Sequence, residues 1–168
     1  LVVALAANSD ISVGHRNPAT EHQKTFLTTL HTLEGCRRLN IKNFIFSSTS
    51  AVYGANPHFP TPENQSNMHP VSVYGAAKLA SESFISAFVE NYGLNAWVFR
   101  FGNVVGQRLT HGVIFDFIEK LSKDPSQLEV LGNGRQEKTY IDVEDCADGI
   151  FLAYNQSKPK SEKHSDRF

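Results

Sequence analysis

Three short apolar runs, each separated from the next by a helical stretch, constrain this chain more than any other feature. LVVALAA (1–7), NFIFSS (43–48) and AWVFRF (96–101) have the length and composition of strands. Between the first two lies a stretch from about Ala19 to Leu39, opened by Pro18, with Phe26, Leu27, Leu30, Leu33 and Cys36 at helical spacing. Between the second and third, Tyr74 to about Tyr92 carries Leu79, Phe84, Ile85, Phe88 and Val89 in the same rhythm, and Gly93 is placed to end it. Strand, helix, strand, helix, strand predicts an α/β fold on a parallel sheet covered on both faces, with the first run a buried strand. Further along, 113–121 reads as an amphipathic helix, LEVLG (128–132) as a short strand with a turn at GNG, and KTYIDV (138–143) as another strand. A helix follows from Asp142 through Ala153, with Glu144 and Asp145 in its first turn.

Ligands of such sheets sit beyond the carboxyl ends of the strands. The residues there are Asn8 and Ser9 after the first run, Ser47, Ser48, Thr49 and Ser50 after the second, and Gly102 and Asn103 after the third. All are small or polar, which suits a site and also suits ordinary turns. The loop from Gly54 to Val71 holds Pro57, Pro60, Pro62 and Pro70 without a regular period, as a functional or lid-like segment would.

Composition narrows the class. A net charge of −1 offers no basic stripe to follow nucleic-acid phosphates or an anionic membrane, and the local cluster Lys158, Lys160 and Lys163 sits among Ser157, Pro159 and Ser161 as a solvated loop would. The opening run is too short to span a bilayer and lacks the basic flank of a signal peptide. Two cysteines, Cys36 and Cys146, lie far apart in apolar helical patterns, and seven scattered histidines form no ligand spacing. The expectation is a reduced, cytoplasmic protein without a metal.

Within this frame Tyr74 and Lys78 fall four places apart, on one face of a helix. A phenol with a pKa near 10 is a poor base at neutral pH, and a neighbouring cation favours the phenolate. Thr49, at a strand end shortly before, adds a hydroxyl able to hold a substrate oxygen. The three suit reversible deprotonation of an alcohol as hydride leaves for a cofactor.

These residues belong to a wider set. LAAN (5–8), SSTSAVYG (47–54), YGAAKLASE (74–82), RFGNVVG (100–106) and GNGRQEKTYIDVEDCADGI (132–150) together resemble the extended short-chain dehydrogenase/reductase family, in its NAD-dependent epimerase/dehydratase branch. The resemblance implies a Rossmann-like, doubly wound parallel sheet. It also implies NAD as cofactor, a nucleotide-diphosphate sugar as substrate, and epimerisation through a transient keto intermediate. It makes Tyr74 the general base, Lys78 its partner and a ligand of the nicotinamide ribose, and Thr49 the third member of the triad. Leu5, Ala6, Ala7 and Ser47 would line the cofactor. Asn103 and Lys138 would meet the diphosphate, with Arg108 and Arg135 as further candidates; Lys138 stands where the family often has arginine, keeping the charge without the bidentate fork. A homodimer through helices 19–39 and 74–92 is implied as well. Plainer readings stand beside these: Thr49 as a turn former, Asn103 as a cap, Arg135 and Lys138 as solvated hairpin residues.

The chain departs from the family at several points. Ser50 and Ala51 replace the Asp-Glu pair that follows the threonine in sugar-nucleotide dehydratases, which turns the expectation from water elimination to epimerisation or simple oxidoreduction. Ala4 replaces a histidine, and Thr25 and Thr28 replace the Asn and Gly of a helix motif. No GxxGxxG turn, which in the family holds the pyrophosphate, occurs in the 168 residues. The family's chains run to roughly twice this length. The chain therefore reads as an incomplete fold, without the N-terminal glycine-rich βαβ unit and the C-terminal end of the substrate lobe. Residues 1–106 form the central and C-terminal part of the dinucleotide-binding domain, and 107–168 the start of the substrate lobe with returning elements. Two rival readings follow: a non-catalytic fragment of such an enzyme, or a related NAD(P)-dependent reductase or dehydrogenase on another substrate.

Overall fold

The structure, a computed structural model, describes residues 1–8, 10–55 and 60–157. Ser9, Pro57, the lysines Lys158, Lys160 and Lys163, and their neighbours Pro159 and Ser161 lie outside the described residues. The chain divides into two compact units, a larger one built on Leu1–Phe101 and a smaller one, Gly102–Gln156.

Three parallel strands in the order β1 (Val2–Ala4), β2 (Asn43–Thr49), β3 (Asn95–Phe101) carry the larger unit. Val3 lies opposite Ile45, Ser47 opposite Phe99 and Thr49 opposite Phe101. The central strand takes the apolar residues: Phe44, Ile45 and Phe46 are buried, as a strand with neighbours on both sides requires. Phe44 and Phe46 form the core with Leu33, Cys36, Ile85 and Leu94. The α/β reading with a parallel sheet thus stands, and the expected strands at 43–48 and 96–101 are present.

β1 is shorter and more exposed than its sequence suggests. It pairs only with β2, so Val3 and Leu5 remain 45% and 61% exposed, and the reading of a buried strand over 1–7 is corrected: a strand with one partner is an edge. The single helix expected over 19–39 is divided. Helix α1 (Ile11–Arg16), which the apolar periodicity did not announce, and α2 (Pro18–Glu21) precede a π-helical turn at His22–Phe26, and only then does α3 (Leu27–Arg38) run regularly. The wide turn breaks the 3.6-residue period on which the sequence reading relied.

Helix α4 (Val73–Tyr92) follows its sequence signals closely. The Ser72 hydroxyl accepts from Gly75 N at 3.0 Å, satisfying one of the open donors of the first turn. Gly93 ends the helix in the left-handed region at φ 62°, its N–H bonded to the Val89 carbonyl.

The smaller unit pairs β4 (Asn103–Val105) with β5 (Tyr140–Asp142), again in parallel, and adds helices α5 (Val113–Lys123) and α6 (Val143–Ser157). Asp142 Oδ1 accepts from Glu144 N at 2.8 Å, capping α6 where the sequence placed its start. No strand forms over 128–132: β5 pairs with β4 instead, and Val130 and Leu131 stay exposed ahead of turns at Gly132 and Gly134, both with positive φ. In α5 no residue is buried, and Val113, Ile114, Ile118 and Leu121 are all exposed.

Candidate active site

Strand β2 delivers Thr49 to the carboxyl end of the sheet, where Thr49 Oγ1 accepts from Ala51 N at 3.2 Å and opens a 3₁₀ turn, Ser50–Tyr53. Helix α4 starts against that turn. A Cβ on Gly75 would lie 2.8 Å from the Ala51 carbonyl oxygen, so only glycine lets the helix come this near. Its neighbour Tyr74 is thereby brought near Thr49, whose side chain acts to lower the phenol's pKa. The threonine holds the turn against which the tyrosine's helix starts.

One turn along α4, Lys78 is 2% exposed. Its Nζ donates to the Ser47 carbonyl at 2.7 Å and lies 4.6 Å from the Phe46 ring centroid and 5.8 Å from that of Tyr74. The structure therefore brings Thr49, Tyr74, Lys78 and Ser47 together.

The electrostatics differ from the sequence expectation in one respect. Burial pushes the Tyr74 phenol up from its ordinary value, the charge of Glu21 pushes it further in the same direction, and the Thr49 hydrogen bond opposes them. Lys78 is lowered to about 8, chiefly by burial, with Glu21 and Glu82 working the other way. The ammonium is directed at a backbone carbonyl, and desolvation is the largest influence on the phenol.

Two polar networks brace this pair, and both escaped the sequence reading. Arg100, on β3, meets Glu82 at 2.7 Å in a two-oxygen contact, and also donates to Tyr53 Oη and to the Glu63 carbonyl. Ser48 donates to the same Glu82. One guanidinium thus ties β3, α4, the 3₁₀ turn and the segment after it. The second network joins Glu21, Thr25 and Asn8. Glu82 had a signal in its position four places after Lys78, whereas Glu21 looked like any charge on an amphipathic stretch.

The remaining candidates are less enclosed. Leu5 and Ala6 are exposed and Ala7 partly so; Leu5 and Ala6 line a cavity of about 240 Å³ with Val3, Ala4, Thr28, Thr29 and Thr32. In the smaller unit, Asn103 Nδ2 donates to the Thr139 carbonyl at 3.0 Å, so its side chain ties β4 to the approach of β5. Arg108, at φ 65°, borders a cavity of about 430 Å³ with Gln107, Asp142, Val143 and Glu144. Arg135 and Lys138 are exposed. Cys36 and Cys146 are buried thiols. Among the described residues no three His, Cys, Asp or Glu side chains are grouped to hold a metal, and no helix is long and apolar enough to cross a membrane.

Known proteins resemble this chain in sequence and fold. A putative UDP-glucose 4-epimerase of Methanocaldococcus jannaschii is 31% identical over 160 residues, spanning 92% of this chain and 52% of its own. The crystal structure of a UDP-galactose 4-epimerase superposes with a TM-score of 0.84 at 35% identity, covering 92% of this chain and 50% of that one. The UDP-glucose 4-epimerase of Thermus thermophilus, solved as a complex with NAD, gives a TM-score of 0.77 at 29% identity, over 90% and 52%. The chain thus spans about half the length of the relatives it matches. Residues 1–165 match the NAD dependent epimerase/dehydratase family, and with the fold in agreement the chain belongs to that family.

Proposed function

We propose that this chain carries the proton-transfer half of an NAD-dependent epimerase acting on a nucleotide-diphosphate sugar through a transient keto intermediate. One observation carries the reading: the strand end at Thr49 and the helix start at Gly75 converge beside Tyr74, while Lys78 is anchored on the Ser47 carbonyl. Tyr74 Oη takes the proton of a sugar hydroxyl and returns it, and Thr49 orients the same oxygen. Lys78 has three N–H groups, of which the Ser47 carbonyl accepts one, so its donor set suits a cofactor ribose. NAD, when bound, supplies reversible uptake of hydride from the sugar carbon. Leu5, Ala6, Ala7 and Ser47 would line its nicotinamide end, and Asn103, Arg108, Arg135 and Lys138 would receive the diphosphate. In the same reading, residues 1–106 belong to the dinucleotide-binding domain and 107–168 to the substrate lobe. A second copy of the chain would cover the apolar faces of helices 19–39 and 74–92, where Phe84 is 42% exposed beside Phe26.

The phosphate end is a different matter. These 168 residues contain no glycine-rich turn to cradle a pyrophosphate, which favours a second reading: the chain by itself binds NAD weakly and does not turn over. Calorimetric titration with NAD, followed by assay with UDP-glucose, separates the two. Binding and turnover that fall by about 10²–10⁴-fold in Tyr74→Phe support the epimerase reading. Turnover unchanged in that variant removes Tyr74 from the mechanism, and absence of binding assigns the activity to a longer assembly.

A further inference from the structure

Glu21 is a carboxylate with no exposed surface, in a position that no family motif explains. Both of its oxygens are engaged. Asn8 Nδ2 donates to Oε1 at 2.6 Å, and Thr25 Oγ1 donates to Oε2 at 2.7 Å. Thr25 Oγ1 in turn accepts from Asn8 N at 3.1 Å, so the residue four places past β1 is held through both its side chain and its backbone. The surroundings are shaped to the carboxylate. A Cβ on Gly14 would fall 2.5 Å from Oε1, and the π turn brings Thr25, four residues on, to full burial beside it.

A buried carboxylate whose hydrogen-bond partners are neutral is expensive without a cation nearby. Helix α2 packs against α4, and the cation that α4 presents in the interior is Lys78. Its other charged neighbour, Glu82, is matched by Arg100 from β3. The positive charge left for Glu21 to stabilise is therefore that of Lys78.

We propose that Glu21 is a positioning residue of the Tyr74/Lys78 pair, its carboxylate serving as the counter-charge of Lys78 and as the clamp that fixes Asn8 at the end of β1. This rests on the role given to Tyr74 above. Two results follow. The ammonium is kept in the interior without drawing on the phenol, and the same carboxylate adds to the upward push that burial gives the phenol. A ligand that brings positive charge to the site offsets the carboxylate and frees the tyrosine to act, so the base is held in reserve until the site fills.

The test reads the tyrosine itself and needs neither cofactor nor turnover. The 168-residue chain, labelled with ¹³C at tyrosine Cζ, is titrated by NMR beside Glu21→Gln, which keeps hydrogen-bonding capacity and removes the charge. Tyr74, assigned by its loss in Tyr74→Phe, is expected to titrate at lower pH in the Gln variant, while Tyr53, Tyr92, Tyr140 and Tyr154 hold their midpoints. An unmoved Tyr74 midpoint in a folded variant overturns the proposal. Should the Gln variant not fold, Gly14→Ala keeps the carboxylate and displaces it with a methyl group. The Asn8 side-chain amide and the Tyr74 midpoint must then both move, and their constancy is equally fatal. The base role of Tyr74 is judged separately, by turnover of Tyr74→Phe, so either idea can fail alone.

Discussion

In the larger unit Lys78, Glu21 and Thr25 are carried to 2% exposure or less, and each is bonded where it lies. In the smaller unit the four candidate binding residues, Asn103, Arg108, Arg135 and Lys138, are all exposed, and the apolar stripe of α5 is exposed with them. The first set has its geometry imposed by packing, because a buried polar group without its partner costs about 1–3 kcal/mol. The second is placed mainly by its backbone, through a turn at Gly132 and Gly134, a left-handed Arg108 and a short pair of strands, with the Asn103 bond to the Thr139 carbonyl as a side-chain tie. The cluster proposed for proton transfer is thus enclosed and anchored, while the groups proposed for the substrate are not enclosed. The chemistry-bearing residues are the ones this chain positions by itself.

The sharpest way to break that contrast is to attack the core beneath the triad. Leu33→Ala, at a residue with no exposure, is expected to cost about 2–5 kcal/mol in urea unfolding. A loss no larger than that of a surface residue would show that the larger unit is not the rigid one. A pH experiment comes next. Lys78 has a folded value of about 8 against an ordinary 10.5, so between those limits the unfolded chain binds more protons, and raising the pH favours the folded state. The difference in urea midpoint between wild type and Lys78→Met should therefore rise in favour of wild type from about pH 8 to about pH 10.5, and a flat difference would mean that the lysine is not desolvated. Loss of the helix cap in Ser72→Ala should cost about 1 kcal/mol, and with it some order at Tyr74, visible as broadening of its ring resonances. Smallest of all, Ile118→Ala in α5 should change stability by no more than about 0.5 kcal/mol, since 62% of the side chain is already exposed. A cost approaching that of Leu33→Ala would mean that the α5 stripe is covered in solution.

Much of this architecture was legible because the signals were local. Apolar runs gave β2 and β3, Ser72 and Gly93 bounded α4, and Asp142 marked the start of α6. The Tyr74–Lys78 spacing placed both residues on one helical face, and the chain order placed Thr49 nearby. What escaped was non-local. β1 reads as an interior strand because its composition is interior; its exposure depends on which strands pair with it, and composition carries no such information. LEVLG has strand composition too, yet β5 pairs elsewhere. Glu21 was silent because a buried carboxylate looks, in sequence, like a solvated one. Its reach to Tyr74 depends on a packing of α2 against α4 that no spacing rule supplies. Nor does proximity along a helix say where the ammonium points, and the Lys78–Ser47 bond was equally illegible.

The π turn at His22–Phe26 has a consequence that concerns chain length more than residue identity. An α-helix advances about 100° per residue, so removing one residue from this turn would restore an unbroken helical register. It would also swing everything before the turn by roughly that angle relative to α3. Glu21 would leave Asn8, and Thr25 would no longer face its carboxylate. Substitutions along the outer side of this segment should be absorbed, whereas a single deletion should not. The stretch from Pro18 to Arg38 must therefore keep its count, and a one-residue gap there in any variant would disconnect the end of β1 from the helix that steadies it.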